Sequence, residues 1–214
     1  VYISDLYPYN MYLPETMFGN KLVKEIIKAK GIREFCQKRY NDHTPELREM
    51  VIRNFVKVRC RHDYPFCAYY AFEIKNKEGG KNIHFRLSYP QRYLLGILEE
   101  MRLAGVPIRI ILLKARQWGG STLVQLYIAW IQLFHKEAWY SVIVAQDGTT
   151  SRKIKAMYSK MLEKLPPWLI GVPDDAELSF TPYEGSQLDS IITYGKGTNA
   201  KVARDTVITI GTYN

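Results

Sequence analysis

The run Ile108-Arg-Ile-Ile-Leu-Leu113, then Lys114-Ala-Arg-Gln-Trp-Gly-Gly-Ser-Thr122, then Leu123-Val-Gln-Leu-Tyr-Ile-Ala-Trp130 decides how this chain is read. The first piece is a short β-branched and leucine segment, which predicts a buried strand. The second contains Gly119-Gly120 and predicts a tight turn. The third continues with Ile131 and Phe134, so a helix from Ser121 to about His135 is apolar nearly all round and belongs in the interior. Strand, tight loop, helix is a geometry suited to phosphate. Unpaired N–H groups point outward at a helix start, glycines let the backbone approach, and the helix dipole favours negative charge. Against the pattern G-x-x-x-x-G-K-[ST] the loop departs twice: Lys114 stands where the first Gly belongs, and Gly120 where the Lys belongs. A flexible lysine stem can still reach β/γ oxygens from the front of the loop. Ser121 keeps the hydroxyl position for Mg²⁺, Thr122 can help at the next phosphate, and Arg116 adds a second cation. The pattern alone equally fits an ordinary strand–turn–helix with Ser121 as N-cap.

Outward from the loop, Ser141 to Ala145 predicts a second buried strand and Thr149 to Leu165 a core helix with Ile154, Met157, Tyr158, Met161 and Leu165 on one face. Strand–helix–strand–helix implies an α/β fold with a parallel sheet. Ser190 to Tyr194 and Thr206 to Ile210 read as further strands. Upstream, Ser88 to Arg102 predicts an amphipathic helix with Tyr93, Leu94, Ile97, Leu98 and Met101 inward, and Phe72 to Leu87 a hairpin around a Gly-containing loop. Two more helices are expected, one from Asn20 to a stop or kink at Gly31, one capped by Thr44 with Pro45 at its first position. Val1 to Asn20 reads as an extended arm. A soft boundary near Ser88 separates residues 1–87, a mainly helical appendage, from a core at 88–214.

Composition narrows the partners. With 47% apolar and 24% charged residues among 214, general disorder is excluded. No stretch approaches the roughly 20 apolar residues of a spanning helix, and Val1 to Tyr12 has no signal-peptide pattern, so a cytosolic location without membrane contact is expected. Cys36, Cys60 and Cys67 form no CxxC pair, and with His43, His62 and His84 they match no common metal spacing. The net charge of +9 points to a polyanion. Between Lys21 and Arg61 twelve basic residues face five acids, a net of +7 that suits either nucleic-acid contact or a solvated helix face.

Lys114 to Thr122 resembles the variant Walker A motif of the large subunit of tailed-bacteriophage terminases, ATPases that drive double-stranded DNA into a capsid. Tyr89-Pro-Gln91 resembles that family's adenine-contacting Q motif, Ser141 to Asp147 its second core strand, and Met157 to Pro166 the helix that follows; together the likeness covers about Tyr64 to Leu165. The resemblance implies a P-loop NTPase core of the additional-strand type, its parallel sheet flanked by helices. It implies ATP and Mg²⁺ as ligands, with Lys114 neutralising β/γ-phosphate charge and Arg116 coupling nucleotide state to movement. Gln117, Trp118, Gly119, Gly120, Ser121 and Thr122 would form the rest of the cradle, with Ser121 the metal hydroxyl, and Gln91 would read the adenine edge. It further implies double-stranded DNA, a portal and a small terminase subunit as partners, a homo-oligomeric ring during packaging, and the host cytoplasm as the setting.

The likeness departs at its far end. An apolar run closing on an acidic pair, which would hold Mg²⁺ and polarise the attacking water, is absent after Gly120, and the family's nuclease domain is missing. Val142-Ile-Val144 with Asp147 is the one partial match, and no Glu follows it. The chain is therefore expected to be a fragment that binds nucleotide without appreciable turnover. Two alternatives stand beside this reading: a helicase-like nucleic-acid translocase, and a non-enzymatic basic nucleic-acid-binding module whose glycine loop is only a turn.

Overall fold

The computed structural model describes residues 13–41, 44–76, 78–113, 117–136, 138–195 and 197–212. The expected arm before Leu13, His43, and the loop residues Lys114, Ala115 and Arg116 lie outside them. A 3-10 turn at Glu15–Gly19 buries Met17 and leads into α1 (Lys21–Ala29). The Asn20 side chain caps α1 by accepting from the Val23 N–H at 3.3 Å, and Lys30, in the left-handed region at φ 68°, ends it. The first helix thus stops just before Gly31, as expected, and Gly31 leads directly into α2 (Ile32–Tyr40), followed by α3 (Pro45–His62). Two short helices at an angle bury Val23, Ile26, Phe35 and Cys36 against Val51 and Phe55 of α3, forming a small apolar cluster.

The other end of α3 belongs to the main core. Asp63 caps α4 (Tyr64–Ala71), a helix where sequence showed only crowded aromatics; its period is hidden because Phe66, Cys67 and Ala68 are buried on several sides. The short hairpin β1 (Glu73–Ile74) and β2 (Ile83–His84) then turns the chain toward α5 (Tyr89–Leu103). α5 buries Leu94, Leu95 and Leu98, whereas Tyr93, expected inward, is exposed. Helix α6 (Gly120–Phe134) runs through the centre, with Leu123, Leu126, Trp130 and Leu133 fully enclosed. Its largely interior position follows from its composition, although Val124 is exposed.

After α6 come β3 (Trp139–Ala145), α7 (Gly148–Leu162), β4 (Leu178–Pro182), β5 (Asp189–Tyr194) and β6 (Lys201–Thr212). The four strands form one sheet in the order β3-β6-β5-β4. β3 and β6 are parallel, and the β6-β5 and β5-β4 pairs are antiparallel. The sheet is thus mixed, not parallel as the sequence suggested. Short connections join β4 to β5 and β5 to β6, and such links permit only antiparallel neighbours; α7 and β4 intervene between β3 and β6 and allow a parallel crossover.

Two further expectations fail in the same region. The run 108–113 joins neither sheet and lies exposed, with Ile111 and Leu113 wholly open to solvent. β3 is also not a buried strand: Tyr140, Val142 and Val144 are exposed on one face. β-branched composition marks a segment fit for a sheet, but pairing needs a neighbouring strand, and the described residues supply none for 108–113.

Candidate functional site

The loop is built at the N-terminus of α6. Gln117 and Gly119 both take left-handed backbone conformations, at φ 63° and 82°, and the sharp turn they make delivers the chain into the helix. The first bond of the helical ladder runs from the Leu123 N–H to the Gly119 carbonyl at 3.0 Å, so the N–H groups of Gly120, Ser121 and Thr122 precede the ladder at the positive end of the dipole. Ser121 is exposed. The Thr122 hydroxyl is turned away and donates to the Met157 sulfur of α7 at 4.0 Å. Trp118 is half-buried and packs on the main core, with its Nε1 closed off from solvent and without a hydrogen-bond partner among the described residues.

Gln91 holds this turn from behind. Its side chain is 5% exposed. The amide Nε2 donates to the Gly119 carbonyl at 3.0 Å, and Oε1 accepts from the Ser88 N–H at 2.8 Å. The second contact is one arm of a capping box, Ser88-x-x-Gln91, a spacing legible in the sequence. The first contact was not legible, since it spans twenty-eight residues. One amide N–H and part of the acceptor capacity of Oε1 are left over, so Gln91 is first of all a brace between α5 and the loop. A Cβ at Gly119 would stand 2.6 Å from Gln91 Nε2, which requires glycine there for space as well as for its φ.

The described part of the loop fits a polyphosphate: leading N–H groups, two glycines, and an open hydroxyl. For Mg²⁺ it offers Ser121, and among the described residues no group of three or more His, Cys, Asp or Glu side chains could hold a metal ion. Asp147, at the C-terminal end of β3, is occupied in capping α7. Its carboxylate accepts from the Thr150 N–H at 2.8 Å and the Thr150 hydroxyl at 2.7 Å, and these bonds hold its pKa below the usual carboxylate range.

The basic segment is less of a free surface than its charge count suggests. Arg59 is 1% exposed: its Nε meets Asp63 at 3.1 Å, and its guanidinium lies 4.1 Å from the centre of the Phe66 ring. Arg53 is paired with Glu49 and Asp174. Lys28, Lys38 and Arg39 line a shallow groove between α1 and α2 with Glu25. Among the described residues no helix is long and apolar enough to cross a membrane.

No protein-family model matches this chain, and no curated protein is significantly similar to it.

Proposed function

We propose that the chain carries the ATP-binding loop of a DNA-packaging motor of the terminase large-subunit type, on a P-loop NTPase core. The observation that carries this reading is the junction at 117–122: a left-handed turn, braced by a buried glutamine, opens the N-terminus of a largely interior helix. In this reading the N–H groups of Gly120 to Thr122 receive phosphate oxygens, the Ser121 hydroxyl would hold Mg²⁺, Lys114 neutralises phosphate charge from the front of the loop, and Arg116 responds to the γ-phosphate. Bound Mg²⁺ supplies further neutralisation. Hydrolysis in the assembled motor, a homo-oligomeric ring beside a portal and a small subunit in the host cytoplasm, moves double-stranded DNA.

Turnover requires an apolar strand that closes on an acidic pair, which this sequence does not contain after Gly120, so the chain alone binds ATP without ordinary motor-rate hydrolysis. The exposed run 108–113 and the bare face of β3 suit a larger sheet. Ile111 and Leu113 in that run, and Tyr140, Val142 and Val144 on β3, are exposed apolar side chains, and in this reading further strands cover them.

Titration with ATP and Mg²⁺, followed by the tryptophan emission lost in Trp118→Phe, tests the reading. Saturable quenching or enhancement that disappears in Lys114→Ala is expected. A signal absent at millimolar ATP, or unchanged in Lys114→Ala, would leave the loop as a turn and the chain as a basic binding module.

A further inference from the structure

At the opposite end of α6 from the loop, about 22 Å away by the rise of its fifteen residues, a pocket of about 310 Å³ is lined by Arg61, Leu133, Phe134, His135, Lys136 and Arg204. Three cations and an imidazole converge there from the ends of α3 and α6 and from β6, and among the described residues no carboxylate lines the pocket. Glu99, which acts on His135 from nearby, is bonded to Arg102 and Tyr127. Two polar atoms of the pocket residues, Arg204 Nε and His135 Nε2, are closed off from solvent and have no hydrogen-bond partner in the described structure. Buried donors without a partner are rare in folded proteins, and a ligand oxygen between these two atoms would satisfy them.

Arg204 is also placed by an irregularity of the strand. Ile191 of β5 pairs with Val207, Ile192 with Arg204, and Thr193 with Val202, so the ladder shifts register on both sides of Arg204. Bulges of this kind re-aim a side chain out of the alternation of its strand. The C-terminal dipole of α6 opposes an anion with about half a charge, against full positive charges on Arg61, Lys136 and Arg204. Attraction wins by a wide margin.

We propose that this pocket is a phosphate-binding site that grips the backbone of a nucleic acid. Arg61 and Lys136, both exposed, meet the phosphodiester oxygens from outside, and Arg204 and His135 receive one oxygen within. The choice of duplex DNA as the source of the phosphate rests on the function proposed above. The pocket itself does not, because it shares no residue with the nucleotide loop, and a failure of ATP binding would leave it standing.

Fluorescence anisotropy with a labelled 20-base-pair duplex, over a salt series, should show Arg204→Gln and Lys136→Gln each weakening binding roughly tenfold and lowering the slope of log affinity against log salt by about one, with Lys160→Gln, on α7 outside the pocket, as the reference. In parallel, inorganic phosphate is titrated while the His135 ring resonances are followed. Phosphate-dependent shifts lost in Arg204→Gln, with duplex affinity unaltered, would support the same site with a free phosphate as its ligand. Because Lys136 is exposed, its variant remains informative should Arg204→Gln fold poorly. Duplex binding and phosphate shifts that both match wild type in a folded Lys136→Gln or Arg204→Gln protein would overturn the proposal.

Discussion

At Gly119 two requirements coincide: a positive φ, and space for the Gln91 amide. Gly119→Ala is expected to lower stability by about 1–3 kcal/mol, from left-handed strain plus displacement of a doubly hydrogen-bonded side chain. In a Gln91→Ala background the steric part vanishes and only the strain remains. Thermal melts of the two single variants and the double variant would show a smaller penalty for Gly119→Ala in that background; equal penalties would mean that Gln91 does not press on the loop. The spacing Ser88-x-x-Gln91 could be read from sequence as a cap. What the other half of the amide touches could not, because nothing local to residue 91 specifies residue 119. His135 is a similar case. Burial first, then the positive charges of Arg102 and Arg61, press its pKa down to about 4, against the opposing influence of Glu99 and a bond to the Arg61 backbone, so the ring is neutral at pH 7.

Between elements, the junction of α3 and α4 depends on a buried ion pair. Arg59 and Asp63 face each other at the helix ends, Asp63 Oδ1 accepts from the Phe66 N–H at 3.1 Å, and the indole Nε1 of Trp130 donates to the Cys60 carbonyl at 2.6 Å, fastening α6 to α3. Removing one partner of such a pair leaves a buried charge and costs about 3–5 kcal/mol. Arg59→Met should therefore destabilise strongly at neutral pH. Burial already raises the Asp63 pKa, with Arg59 as the principal opposing influence. Without Arg59 the folded-state pKa rises further above its unfolded value, so the native state takes up the proton first, and the deficit should narrow as pH falls from 7 toward 5. Chemical denaturation of wild type and variant across that range checks the sign; a deficit independent of pH would place the cost in packing. In the sequence Arg59 counts as one more cation of a basic run, since charge counting has no measure of which helix face is covered.

For the whole molecule, the notable surfaces are the apolar ones of 108–113 and of the outer face of β3. Ile111→Lys and Leu113→Lys together should leave stability within about 0.5 kcal/mol of wild type, since fully exposed side chains lose no burial. They should also slow aggregation, by placing charge in a bare β-prone segment. Light scattering and melting measure both. A marked loss of stability would show that the segment packs within this chain in solution.

The sequence by itself determined α1, α3, α5, α6 and α7, the site of the tight loop and the largely interior character of α6, because apolar period, caps and glycines act over a few residues; α2 and α4 it did not show. It also marked out strand-forming segments at 141–145, 190–194 and 206–210, each lying within a longer observed strand. Only the tertiary structure decided which of these pair and in what sense, that 108–113 stays outside the sheet, that Arg59 is interior, and that Gln91 braces Gly119. The same holds for the meeting of Arg61, His135, Lys136 and Arg204, which come from three separate elements. Each of these depends on contacts between residues far apart in the chain, whose free energy is fixed by burial and geometry once the elements have packed, and no local pattern encodes it.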